Sequence, residues 1–148
     1  MSSLNAPSMD LPLAVPNDPD LALVLALLRR MAARDLFEPE IAEIAHQGFG
    51  HNFERPLTLL RAYLIETASA STRQIRMAPG ATGRMTSDEG QMLTILSAAA
   101  HHPGQVSGML QELCASSDVA APQAIVGLLA SVLTGAGCPL TPAGYAVN

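Results

Sequence analysis

Arg73, Arg76 and Arg84 flank the one Gly/Pro-broken stretch inside an otherwise helix-patterned chain, Ser71-Thr-Arg-Gln-Ile-Arg-Met-Ala-Pro-Gly-Ala-Thr-Gly-Arg-Met-Thr86. Guanidinium groups fork onto carboxylate or phosphate oxygens, and glycines let a backbone approach a ligand closely. A helix starting at Thr86 adds free N–H groups and the positive end of a dipole. Arg73, Arg76, Arg84 and Thr86 are therefore a candidate site for a small anion or a phosphate-bearing metabolite. The ordinary reading competes with it. The arginines can pair with Asp88, Glu89 or Glu66 at about 0 to 1 kcal/mol each, and Thr86 and Glu89 have the spacing of a capping box that already uses part of the helix end. Two charge-assisted hydrogen bonds, at about 1.5 to 3 kcal/mol each, support no better than millimolar to high micromolar affinity.

The remaining chemistry-bearing residues fall short of a site. Glu43-Ile-Ala-His46 has the E-x-x-H spacing of a di-iron bundle, but such a site needs two copies, and Glu66 and Glu112 would have to supply the rest. A solvated helix face explains it. His46 with His51, and His101 with His102, do not assemble a metal set; the latter pair sits beside Pro103-Gly104 at a helix C-terminus, where imidazolium suits the dipole. Cys114 occupies a core-facing helical position, which makes a thiol inert. With Cys138 it forms either a disulfide or a pair of reduced thiols. Neither G-x-S-x-G nor a P-loop occurs. These absences point to an interaction or regulatory protein, with no catalytic residue, metal or cofactor assigned, rather than an enzyme.

The elements that would position these residues are helices. Asp18 is an N-cap and Pro19 fits the first helical position, leading into Leu21 to Ala33, a segment apolar on all sides and so central. A second helix starts near Pro39 and stops at Gly48-Phe49-Gly50. Pro56 opens a third, to about Thr72, with Leu57, Leu60, Leu64 and Ile65 inward and Arg61 close to that face. Thr86 caps a fourth, and Val106, Met109, Leu110, Leu113 and Cys114 mark a fifth. The sixth follows Pro122 with the stripe Ile125, Leu128, Leu129, Val132 and Leu133. Its other side carries Gly127, Ser131 and Gly135, a ridge small enough for another backbone to come close. No run alternates like a strand, although Gln74-Ile75-Arg76-Met77 could lie extended. The fold class is all-α: a single-domain bundle of about six helices over residues 17–138 with one longer Gly/Pro loop, between a flexible tail at 1–16 and a C-terminal tail at 139–148.

Composition narrows the function classes. The 148 residues are 49% apolar and only 14% charged, against roughly 25% charged in average soluble proteins. So little charge predicts that some apolar surface meets another subunit. The expected state is a homo-oligomer, most simply a homodimer, with Gly127, Ser131 and Gly135 at the contact. A net charge of −5 without any lysine argues against nucleic acid. Pro122 and Pro139 bracket too short a stretch for a membrane span, which takes about 20 apolar residues. Early prolines and a first basic residue at Arg29 leave no secretory pattern, which predicts a cytoplasmic protein.

At Leu28-Arg-Arg-Met-Ala32, Arg55-Pro-Leu57, Leu60-Arg-Ala62 and Arg84-Met-Thr86 the chain resembles an uncharacterised family of alphaproteobacterial proteins, a domain of unknown function. The resemblance covers roughly the middle half of the chain. It implies a small bacterial protein without assigned activity and transfers no site residue.

Overall fold

The computed structural model describes residues 10–80 and 82–141. Six α-helices occur among them: α1 (Pro19–Ala33), α2 (Pro39–Phe49), α3 (Glu54–Ala70), α4 (Ser87–His101), α5 (Val106–Cys114) and α6 (Ala120–Gly135). Pro103–Gln105 forms a short 3-10 turn between α4 and α5. The all-α bundle is thus the observed architecture. Two of the starts are capped by a side chain. The Asp18 carboxylate accepts from the Asp20 N–H at the head of α1, with Pro19 in the first turn, and Thr86 with Glu89 forms both halves of a capping box on α4. Gly50, at φ +85°, ends α2 in a conformation that favours glycine.

α3 and α6 pack most extensively, α6 also lies on α4, and α1 joins α2 to this layer. The core runs through Leu21, Leu28, Ile41, Leu60, Met92, Leu96, Leu110 and Leu133, all essentially inaccessible. Two helical faces are rotated from the expected ones. On α3 the buried set is Pro56, Leu57, Leu60, Tyr63 and Thr67, and Ile65 is 41% exposed. Tyr63 takes the inward place because its hydroxyl can donate to the Met92 carbonyl at 2.8 Å; a buried phenol with a partner is a large apolar body. On α6 Val126, Leu129, Ala130 and Leu133 are buried, and Leu128 stands 50% exposed.

The tails differ from expectation where they are described. Leu13–Ala14 (β1) pairs antiparallel with Arg84–Met85 (β2), Leu13 opposite Met85 and Ala14 opposite Arg84. The arm is held because the Leu13 side chain enters the space over Gly90, where a Cβ would collide with it. At the other end Leu140 is buried, its carbonyl accepting from Ser97 at 3.0 Å and from the His101 ring. The remainder of both expected tails, residues 1–9 and 142–148, lies outside the described residues, as does Ala81 in the loop.

Candidate functional site: an arginine–carboxylate network under the 71–86 loop

The loop is organised by two adjacent carboxylates at the start of α4. Asp88 and Glu89 fall in the first turn, where a negative charge meets unpaired N–H groups and the positive dipole end. Both are buried. Glu89 accepts four hydrogen bonds: from the Thr86 N–H at 2.9 Å, from the Ala78 N–H at 2.9 Å, and from Arg29 Nε at 2.7 Å and Nη2 at 3.0 Å. Asp88 receives Arg73 Nη2 at 2.9 and 3.0 Å and the Arg76 N–H at 2.7 Å.

Arg29 comes from the middle of α1 and is 5% exposed. Beyond Glu89, its Nη1 reaches the carbonyls of Thr82 at 2.7 Å and Gly80 at 3.4 Å, and its Nη2 that of Arg84 at 2.7 Å. All five guanidinium N–H groups are engaged. A buried charge is tolerated when it is paired and hydrogen-bonded, and here one side chain satisfies a carboxylate and three carbonyls of a loop without regular structure. No donor is left for a ligand, so this arginine shapes the loop.

The arginines singled out in the sequence share the loop but not a target. Arg73 spends its fork on Asp88 and on the Leu113 carbonyl at 2.8 Å. Arg84 donates to the carbonyls of Leu11 and Pro12, both at 2.9 Å, fastening the N-terminal arm. Thr86 accepts from the Glu89 N–H and donates to the Arg76 carbonyl at 2.8 Å. Only the Arg76 guanidinium stands exposed with no side-chain partner among the described residues. Sequence reasoning missed Arg29. The available signal was its four-residue register with Leu21 and Leu25, both core residues of the same helix.

Two clefts open beside Arg29. One, of about 320 Å³, lies between Ala32 and Ala33 of α1 and the segment containing Gln74, Ile75, Met77 and Pro79. The other, of about 370 Å³, is lined by Ala26, Arg30, Arg34, Ile44 and Gly80. Elsewhere the groups weighed from sequence form no such network, although the rings of His46 and His51 lie 6.1 Å apart between centroids. Glu43 and His46 are exposed, and among the described residues no group of three or more His, Cys, Asp or Glu is placed to hold a metal. Cys114 and Cys138 are free thiols. Burial raises the Cys114 pKa, partly opposed by Arg73. Burial first, then the charge and hydrogen bond of Asp20 and the charge of Asp18, push Cys138 up to about 11.

Gly127, Ser131 and Gly135 all lie on the exposed side of α6. A Cβ added at Gly127 or Gly135 would meet nothing within 4 Å, so the ridge takes no part in packing within the described chain. No helix among the described residues is long and apolar enough to cross a membrane.

Neither a curated protein nor a solved structure matches this chain. A family model does match, over residues 1–104, a segment that contains every residue of the arginine–carboxylate network except Leu113. The chain belongs to that family, DUF6628, a family of unknown function.

Proposed function

We propose that the chain is a cytoplasmic helical interaction protein that works as a homo-oligomer, most simply a twofold dimer, with the outer face of α6 at the contact. One observation carries this reading: the exposed face of α6, with Ala124, Gly127, Leu128, Ser131 and Gly135, bears no charge, and no charged residue occurs anywhere from Val119 to Asn148. A surface helix ordinarily turns charged and polar side chains outward. A neutral face is self-complementary, as a twofold contact requires, and its small ridge lets a second helix approach closely. Ile65, on the helix that packs most extensively against α6, adds another exposed apolar side chain.

The test is Ser131→Arg, which would bury an unpaired charge in the contact while meeting only solvent in a single subunit. It is expected to give a monomer with unchanged helicity, and Gln47→Arg, on the exposed face of α2, to retain the parent mass. A parent mass kept by both variants would remove α6 from the interface.

Binding of a small anion by the loop is the alternative, and it draws on Arg76, since Arg73 and Arg84 already serve internal acceptors. A thermal scan of phosphate, sulfate and dicarboxylates at fixed ionic strength tests it. A specific ligand at one hundred times its Kd stabilises by about 2.7 kcal/mol. Equal shifts in the parent and Arg76→Ala would be generic salt stabilisation.

A further inference from the structure

Among the described residues, the segment Gln74–Ala78 presents an unpaired backbone edge that no role above uses. The Arg76 N–H bonds Asp88 and its carbonyl accepts from Thr86, while the next-but-one N–H, of Ala78, bonds Glu89. In extended chain, alternate residues direct their backbone groups to the same edge. With 76 and 78 turned to the start of α4, that alternation leaves the N–H and C=O groups of Ile75 and Met77 without a bond to any described residue. Both residues line the 320 Å³ cleft, whose far wall is Ala32 and Ala33 of α1. Those short side chains leave a slot between α1 and this segment, which pairs with neither strand of the chain's small sheet.

We propose that this slot is a docking site for an extended acidic peptide, which adds to the Ile75–Met77 edge as a short strand. Strand addition takes its affinity from main-chain hydrogen bonds and its specificity from alternate side chains. Two buried carboxylates already hold the edge in place, so little ordering is required on binding. The charge of the occupant follows from Arg76, exposed and without a side-chain partner among the described residues. A second copy pairing antiparallel so that Ile75 and Met77 bond reciprocally would set Arg76 opposite Arg76, and like charges directly opposite are destabilising. An incoming strand with Asp or Glu at that position gains instead, with apolar residues on either side to face Ile75 and Met77. The pattern is apolar–acidic–apolar.

The probe is the capped peptide acetyl-Thr-Val-Asp-Val-Thr-amide, titrated into the full chain labelled with nitrogen-15. The Ile75 and Met77 amide resonances are expected to move together and saturate. Replacing the aspartate by lysine, or N-methylating either valine, should weaken binding at least about tenfold, a change of 1.4 kcal/mol. The exposed substitution Arg76→Glu should reverse the preference toward the lysine peptide. The proposal is overturned if no saturable shift appears at millimolar peptide, or if aspartate and lysine peptides bind alike. It is equally overturned if the two amides are protected from hydrogen exchange without peptide. Protection that grows with protein concentration would assign the edge to a second copy, and protection independent of it to the chain itself.

Discussion

Arg29 Nε lies 2.7 Å from Glu89 Oε2, across sixty residues of sequence. With the second contact from Nη2 to Oε1 at 3.0 Å this is a two-pronged pair, the geometry in which Arg binds carboxylate most strongly. Glu89 also completes the capping box and holds the Ala78 N–H. One carboxylate therefore starts α4, anchors α1 and seats the loop.

Removing either partner should be costly. Glu89→Ala leaves the Arg29 charge buried and unpaired, an event worth about 3 to 5 kcal/mol, which for a domain of this size lowers Tm by roughly 6 to 20 °C. Arg29→Met should act similarly, and the double variant should lose less than the sum, because the two residues share one interaction. Calorimetry of the three proteins checks this; a Tm unchanged in either single variant would contradict it.

The helices were legible because their signals are local: Asp18-Pro19, Pro39, Gly50 and the Thr86–Glu89 pair act within one turn. What escaped was non-local. Nothing within a turn of Arg29 shows that its partner is Glu89, and the arm at Leu13 reads as a proline-rich tail until Arg84 donates to its carbonyls and Gly90 leaves it space. Tyr63 and Ile65 exchanged places for the same reason, since the phenol becomes a core residue only once the Met92 carbonyl is beside it. The exposed position of Gly127, Ser131 and Gly135 follows from their place opposite the apolar stripe, which the sequence does display.

Gly48 offers a test of packing. It lies inside α2, where alanine would normally improve helix stability by about 1 kcal/mol. Here an added Cβ would collide with one Leu23 methyl carbon and fall 2.9 Å from the other and 3.1 Å from its branch carbon. Gly48→Ala is thus expected to destabilise, by about 1 to 3 kcal/mol for a forced repacking. In a Leu23→Ala background the same change should stabilise. Urea unfolding of the four proteins decides, and a gain from Gly48→Ala in both backgrounds would show that the notch is not tight.

Cys138 should be a slow nucleophile. Its pKa is pushed up to about 11, and only the thiolate reacts, so alkylation at pH 8 should proceed on the order of a hundredfold slower than for an ordinary cysteine, one decade per pKa unit. The sign for stability follows: the folded chain holds the proton more tightly than the unfolded one, so this contribution is intact below about pH 9 and is lost as pH rises through about 11. Asp20→Asn should bring the inflection of the rate–pH profile down. Peptide mapping after timed alkylation measures it, and an inflection near 9 in the parent would contradict the combined effect of burial and the two aspartates.

Static light scattering on size-exclusion fractions, run over a range of protein concentrations on the parent chain and on Ser131→Arg, measures self-association most directly. The parent should show about twice the 15.4 kDa chain mass and Ser131→Arg the single mass. A parent that remains at the chain mass at micromolar concentration would contradict the homo-oligomer and leave the neutral face of α6 without its proposed partner.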